Sequence, residues 1–258
     1  MGIDFHSNKN RFKYADRHAD STWMETITNL VPIEPITSAV DIGCGGGIYS
    51  KALLESGVDT VIGIDFSQAM LEGAKEKAQG DQNLTFKFGN AYETGLEGNN
   101  HDLVLERALI HHIKDLDACF EEAYRILDDN GLLIIQDRTP EDCFLEGTIS
   151  HIRGYFFECF PRLKEIEMKR RHKSSSVIVK LKKAGFRYIE EVKLWETRKV
   201  YKNKQQLLQD VKGRSGRSIL YELTDQELNR ILNFIDQELP VNDKIIEKDR
   251  WTIWKAVK

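Results

Sequence analysis

The sequence predicts an α/β fold built on a doubly wound, mostly parallel sheet. An apolar run, Ala39–Ile42, leads through a glycine-rich turn into a helical pattern that begins at Ile48. A second apolar run, Val61–Asp65, ends in an acid. Strand-like and helix-like segments then alternate up to about residue 140. This alternation is typical of strands that pair in parallel and are joined by helices.

Composition excludes several classes of protein. The chain has 258 residues and 41% hydrophobic residues, which suffices for one large α/β domain or a domain with a small cap. Its net charge of −4 argues against a basic surface for binding nucleic acid. We find no apolar run of membrane-spanning length and no signal-peptide core, and the four cysteines form no CxxC pair. We therefore expect reduced thiols in a cytoplasmic protein that does not bind membranes.

A front segment precedes the first strand. Residues 1–20 are polar and basic with interspersed aromatics, among them Tyr14. Thr22 and Glu25 have the spacing of a capping box and predict a helix start, and the prolines at 32 and 35 end that helix. Residues 1–35 are thus predicted to be a separate N-terminal segment.

The remaining elements follow from periodicity and from stop signals. The helix that begins at Ile48 ends at Gly57, and Ser67 caps a second helix that stops at Gly80. A third helix starts near Asp115 and a fourth near Ser174. Five further strands are predicted at Leu84–Phe88, Asp102–Glu106, Leu132–Ile135, Phe186–Tyr201 and Trp251–Val257.

Two stretches break the alternation of strands and helices. Residues 140–172 hold an aromatic run between two prolines, and residues 202–240 are mostly helical with a capping box at Thr224 and Glu227. We expect both stretches to be cap insertions. The second joins a long strand to the last strand, which suits an antiparallel hairpin at a sheet edge.

The glycine turn carries the strongest functional signal. The stretch Asp41–Gly47 reads acid-x-Gly-x-Gly-x-Gly. A dinucleotide fingerprint counted from Gly43 requires a third glycine where Ile48 stands, which disfavours a nicotinamide oxidoreductase. Asp65 lies about 20 residues beyond the turn, where an acid holds a ribose hydroxyl pair. Together these features resemble the class I S-adenosylmethionine (SAM) methyltransferases, the small-molecule branch of ubiquinone-biosynthesis and trans-aconitate type.

The resemblance covers residues 36–140 and implies a Rossmann-like, doubly wound, seven-stranded, mostly parallel sheet with an antiparallel edge hairpin and helical cap insertions. Residues 1–35 would be a lid or a helix packed on the sheet edge. Residues 36–258 would be the methyltransferase domain, with caps at about 140–172 and 202–240. The cofactor-binding positions that it implies are Asp41, Gly43, Gly45, Gly47, Asp65, Phe66, Asn90, Ala91 and Glu106.

By the resemblance, the glycines surround the methionine part of SAM and Asp65 holds the ribose. Phe66 and Ala91 flank the adenine, and the side-chain oxygen of Asn90 accepts a hydrogen bond where most relatives carry an acid. Glu106 and Arg107 would lie beside the reactive sulfonium.

Methyl transfer from SAM is an in-line displacement, so the protein contributes mainly positioning and exclusion of water. A general base is needed only for a weakly nucleophilic acceptor. His111 is the candidate base and Arg107 a second candidate catalytic residue; the alternative for His111 is a structural role. We expect no metal, because no cysteine or carboxylate lies at ligand spacing from the histidine pair.

The predicted acceptor is a small and anionic molecule. Tyr14, Arg214 and Arg217 are the candidate residues that bind it, since arginine offers a planar fork to carboxylate or phosphate. The alternative is that the loop with the two arginines is a plain surface loop. Two other functions stay open: an RNA or protein methyltransferase, although no proline-rich motif follows Glu106, and a SAM-binding regulator without catalysis.

Overall fold

The computed structural model describes residues 18–34, 36–239 and 244–258. In the described chain, a seven-stranded sheet has the order β3-β2-β1-β4-β5-β7-β6. The predicted fold class is therefore confirmed. The strands are β1 (Ser38–Ile42), β2 (Thr60–Asp65), β3 (Leu84–Phe88), β4 (His101–Arg107), β5 (Leu127–Asp137), β6 (Arg187–Tyr201) and β7 (Ile245–Val257).

Helices separate most of the strands, as the alternation predicted. None of the described helices is long and apolar enough to cross a membrane. The α-helices are α1 (Ser21–Leu30), α2 (Ile48–Glu55), α3 (Gln68–Lys77), α4 (Leu116–Ile126), α5 (Pro140–Cys143), α6 (Ile152–Cys159), α7 (Leu163–Arg170), α8 (Ser174–Ala184), α9 (Lys204–Lys212) and α10 (Asp225–Glu238).

The strand order changes direction beside β1. β1 pairs in parallel with β2 on one side and with β4 on the other, and β4 pairs in parallel with β5. The carboxyl ends of these strands therefore share one edge of the sheet. In open α/β sheets, a ligand binds outside the strand ends at the point where the order reverses. β7 pairs with β5 and runs antiparallel to it, and β6 follows β7 in the strand order.

The described chain divides into two compact units. The first, which we call the sheet unit, comprises residues 18–137, 173–194 and 252–258 apart from residue 35. Alternate residues of each strand face opposite sides of the sheet. Ala39 and Leu103 pack with α1, α2 and α3 on one face, and Val40 and Val104 pack with α4 and α8 on the other. Both faces are covered, which explains the nearly continuous apolar runs of β1 and β5.

The second unit, the helical unit, comprises residues 138–172, 195–239 and 244–251. Its core is a separate apolar cluster in which Phe156 and Phe157 of α6 pack with Ile231 and Ile235 of α10. The predicted capping box at Thr224 starts α10: its hydroxyl accepts from the backbone N–H of Glu227, and the Glu227 carboxylate accepts in return from the N–H of Thr224.

Three predicted boundaries were wrong. Asp20, not Thr22, caps α1, and its carboxylate accepts from the N–H of Thr22 at 3.1 Å. β5 begins at Leu127 rather than at Leu132, because Leu127 already pairs with His101 of β4. β7 starts at Ile245 rather than at Trp251.

Candidate active site

The glycine turn follows β1 directly. Gly43, Gly45 and Gly47 have φ values of 75°, 52° and 75°, the left-handed region that favours glycine. A Cβ at Gly43 would lie 2.8 Å from the side chain of Leu109, and one at Gly47 would lie 2.6 Å from the ring of Phe86. Both conformation and close packing therefore require glycine at these positions.

Asp65 ties this turn to the end of β2. One carboxylate oxygen accepts from the backbone N–H of Gly45 at 2.9 Å, and the other accepts from the N–H of Ser67 at 2.8 Å. The two stretches that the sequence singled out are thus joined by a hydrogen bond. The next residue, Phe66, is 48% exposed.

Asp41 belongs to β1, just before the glycine turn, and its side chain is buried. It is 2% exposed, and its carboxylate accepts a 2.6 Å hydrogen bond from the hydroxyl of Ser50 in α2. Burial raises the pKa of Asp41 to about 6; the Ser50 bond lowers it, and the charge of Asp65 raises it further. Asp41 therefore fixes the start of α2 against β1.

Asn90 follows the end of β3, where the sequence predicted an adenine contact. Its side-chain oxygen accepts from the backbone N–H groups of Tyr92 and Glu93, at 2.8 and 3.1 Å. An amide oxygen has two acceptor sites, so both are used in this turn. The oxygen that was predicted to accept from adenine is therefore occupied within the chain. Ala91 beside it is 6% exposed.

Glu106, near the end of β4, points into the core. It is fully buried, and the thiol of Cys119 donates to its Oε1 at 3.4 Å. No described group hydrogen-bonds to its Oε2. Burial raises the pKa of Glu106 to about 8, so the carboxyl is largely protonated at neutral pH.

Arg107 points to the opposite face of β4. Its guanidinium lies 3.7 Å from the ring centroid of Tyr49, and its Nε donates to Oε1 of Gln136 at 3.2 Å. The indole N–H of Trp23 donates to the same oxygen at 2.7 Å. Arg107 is thus held by β5, by α2 and, through Gln136, by α1.

His111 is positioned by a carboxylate. Ala108 has a positive φ of 50°, and this sharp turn leads into a short 3-10 helix, Ile110–His112. Nδ1 of His111 lies 2.8 Å from Oδ2 of Asp137 at the end of β5, and the backbone N–H of His111 donates to the same oxygen at 3.1 Å. This arrangement fixes both the ring orientation and the tautomer with the proton on Nδ1. The imidazole is then able to accept a proton at Nε2.

Sequence analysis missed Asp137, Gln136 and Trp23. Asp137 and Gln136 are polar residues at the end of a buried apolar strand, Leu132–Asp137, and that is the one signal that was available for them. Nothing in the sequence pairs Trp23 with a residue more than a hundred positions away.

Of the three residues predicted to bind the acceptor, the structure describes Arg214 and Arg217, and both form ion pairs. Arg217, in the helical unit, is 2% exposed and forms ion pairs with Asp210 at 2.5 Å and Glu247 at 2.8 Å. Arg214 donates to Asp225 at 2.9 Å. Tyr14 lies outside the described residues, as does the first half of the predicted lid.

Residues 40–135 match a family model described as a methyltransferase domain. Among curated proteins, the demethylmenaquinone methyltransferase of Staphylococcus aureus is 31% identical over 114 residues, which are 43% of this chain and 47% of that enzyme. The chain therefore matches about half the length of this relative.

Solved structures share the fold. A protein of Anabaena variabilis, described as a methyltransferase from an antibiotic biosynthesis pathway, aligns with a TM-score of 0.69 at 20% identity over 92% of this chain and 98% of that one. Phosphoethanolamine N-methyltransferase 2 of Haemonchus contortus, in complex with phosphomonomethylethanolamine and S-adenosylhomocysteine, aligns with a TM-score of 0.60 at 20% identity over 99% of this chain and 60% of that one.

Proposed function

We propose that this chain is a class I SAM-dependent methyltransferase that transfers the SAM methyl group to a small-molecule acceptor; its sheet and the match of residues 40–135 support the proposal. The observation that carries the proposal is the bond from the Gly45 N–H to the Asp65 carboxylate. It brings a left-handed glycine turn and a strand-end acid together at the point where the strand order reverses.

The residues present fit the cofactor. The glycine turn offers backbone without a Cβ to the methionine part, and Asp65 is an acceptor at the end of β2 for the ribose hydroxyls. Phe66 has an exposed ring for the adenine, and Asn90 offers an N–H donor to a ring nitrogen. We therefore revise the predicted Asn90 contact from an accepted to a donated hydrogen bond.

SAM, when bound, supplies a methyl group on a positively charged sulfur. The chain's share is to position the acceptor and to exclude water. For a hydroxyl or protonated acceptor, Nε2 of His111 takes the acceptor's proton as the methyl group is transferred, and Asp137 stabilises the imidazolium that forms. The sulfur leaves as the neutral thioether of S-adenosylhomocysteine. Arg107, which is bonded to Gln136, orients this end of the site rather than moving protons.

Several observations favour a small acceptor. The names of two similar enzymes refer to small molecules, demethylmenaquinone and phosphoethanolamine. The segment after Glu106 has no proline, unlike the motif common in enzymes that methylate amino groups of RNA and protein. We also propose that the acceptor is anionic, because Arg107 ends β4 and a guanidinium suits a carboxylate or a phosphate. Because the cysteines are free, we also propose a cytoplasmic location.

A screen of small molecules tests this proposal. The purified chain is incubated with methyl-labelled SAM and a panel of small metabolites, and labelled products are identified by mass spectrometry. We expect label in one chemical class, and less of it with Asp65→Ala at the same SAM concentration. Transfer to RNA or protein but to no small molecule would contradict the proposal.

A further inference from the structure

A buried carboxylate on α4 holds the segment that follows β3, and the proposed mechanism does not use it. Glu122 is 7% exposed, and its partner Thr94 is 2% exposed. Oε1 of Glu122 accepts from both the backbone N–H and the hydroxyl of Thr94, at 2.7 and 2.5 Å. The two residues lie 28 positions apart in the sequence, so these bonds fix a connecting segment against a helix of the sheet unit.

Arg125 holds the carboxylate from the other side. Its Nε donates to Oε2 of Glu122 at 2.7 Å, and a terminal amino group donates to Oε1 at 2.9 Å, which makes a bidentate pair. The same amino group donates to the backbone oxygen of Leu96 at 2.8 Å. Burial raises the pKa of Glu122, but the bonds from Arg125 and Thr94 outweigh burial and lower it, so the carboxylate is charged at neutral pH. The bonds to Glu122 are therefore charge-assisted.

The held segment begins with the turn that contains Asn90. The backbone N–H of Asn90 donates to the backbone oxygen of Glu93 at 3.2 Å, and the N–H of Glu93 donates back at the same distance. A Cβ at Gly89 would lie 2.9 Å from the backbone oxygen of Thr94, so the two ends of the turn are packed together. The N–H of Gly89 also donates to the backbone oxygen of Asp65 at 3.2 Å. The position of Asn90 beside the end of β2 therefore depends on Thr94.

This turn fixes which group Asn90 offers to a ligand. The side-chain oxygen accepts from the N–H groups of Tyr92 and Glu93, so the amide is held in one orientation and its NH₂ group is a donor. In a loosely held turn the oxygen would be released, and the amide would rotate to offer either a donor or an acceptor. A site that pairs one fixed polar group with a base rejects a base of the opposite polarity. Selection at Asn90 therefore requires that the turn be held firmly.

We propose that Glu122 and Thr94 are positioning residues that hold the Asn90 turn and thereby make the cofactor site select adenine. Neither residue touches the ligand; both act through Asn90. The inference rests on the proposed function, since it takes the cofactor to be SAM and the Asn90 NH₂ group to donate to a ring nitrogen of adenine. It adds the residues on which this selection depends.

S-inosylhomocysteine tests the selection, because its base carries oxygen in place of the amino group of adenine and a hydrogen on the neighbouring ring nitrogen. The Asn90 donor would then face another donor, so the wild type should bind S-adenosylhomocysteine about tenfold more tightly than this analogue. Thr94→Val keeps the shape of the side chain and removes its hydroxyl. This variant should reduce the preference to about threefold or less, and Thr94→Ser, which keeps the hydroxyl, should retain it.

Thr60→Val is the matched control. The hydroxyl of Thr60 donates to the backbone oxygen of Thr37 at 3.0 Å at the start of β2, the strand end opposite to Asp65. Its removal also costs a hydrogen bond of the sheet unit, so it should lower the unfolding free energy but leave the preference between the two ligands unchanged. A loss of preference that accompanies any loss of stability would appear in this variant too.

Calorimetry gives both dissociation constants for each protein, and urea unfolding gives the stabilities. The proposal expects the preference to fall in Thr94→Val and to persist in Thr94→Ser and Thr60→Val. It is overturned if the wild type shows no preference, or if Thr94→Val weakens both ligands by the same factor. Wild-type protein that binds neither ligand contradicts the proposed function as well, whereas binding with an unchanged preference in Thr94→Val contradicts this inference alone.

Discussion

Glu106 gives a prediction whose size follows from the structure. The side chain is fully buried next to Cys119, and its carboxyl has a pKa of about 8 instead of the ordinary 4.5. In the unfolded chain this group ionises near the ordinary value. The folded state therefore binds the proton more tightly, and the resulting stabilisation is complete below about pH 4.5 and is lost as the pH rises through about 8.

Glu106→Gln replaces the protonated acid with a neutral group of the same shape. Between pH 6 and pH 9, linkage with the two pKa values makes the wild type lose about 2.5 kcal/mol of unfolding free energy relative to the variant. Most of that change falls between about pH 6 and 8. The unfolding free energy of the variant should therefore rise relative to that of the wild type as the pH increases.

Urea unfolding at a series of pH values measures this difference. Glu122→Gln is the matched control from α4: burial raises the pKa of Glu122, but bonds from Arg125 and Thr94 outweigh burial and lower it. Removing this acid should therefore lower the unfolding free energy above the pKa of a glutamate in the unfolded chain. This change has the opposite sign to the one expected for Glu106→Gln. A difference between wild type and Glu106→Gln that does not change from pH 6 to 9 would refute a buried protonated carboxyl.

Three further predictions concern the site. Asp65→Ala should weaken S-adenosylhomocysteine binding by about 1.5–3 kcal/mol, and Asn90→Ala by about 0.5–1.5, because only Asp65 makes charge-assisted bonds; equal losses in calorimetry would contradict the assignment. Asp137→Asn should lower kcat by about a hundredfold while S-adenosylhomocysteine binds as before; an unchanged kcat for Asp137→Asn would exclude His111 as the base. Binding of SAM, but not of S-adenosylhomocysteine, should release protons at pH 7.5, because a sulfonium at the position predicted from the sequence, beside Glu106, would favour its carboxylate; calorimetry in two buffers of different ionisation enthalpy measures this, and equal release by both ligands would place Glu106 away from the sulfur.

Local sequence patterns predicted the starts of several helices correctly. Ser67 caps α3 through its side chain, and Thr224 and Glu227 form the predicted capping box. α4 begins where a helix was predicted near Asp115, and its residues Leu116, Phe120 and Ala123 are buried. These features depend on residues within one turn or a few positions, and a sequence contains that information directly.

Long-range pairings were not predictable in the same way. His111 meets Asp137 because β4 and β5 end side by side, and the start of β5 was misplaced because Leu127 pairs with His101 across the sheet. In the helical unit, Arg138 donates a hydrogen bond to Asp249, which lies over a hundred residues away in the sequence. Sequence periodicity assigns a residue to a face, but it does not say which charged groups of distant segments meet there.

Calorimetric titration with S-adenosylhomocysteine and with NAD tests the central claim most directly. The structure has the glycine turn and Asp65 in contact, and Ile48 stands where a dinucleotide site needs its third glycine. We predict saturable binding of S-adenosylhomocysteine that Asp65→Ala weakens, and no heat with NAD. Comparable affinity for NAD, or no binding of S-adenosylhomocysteine, would contradict a SAM-dependent methyltransferase.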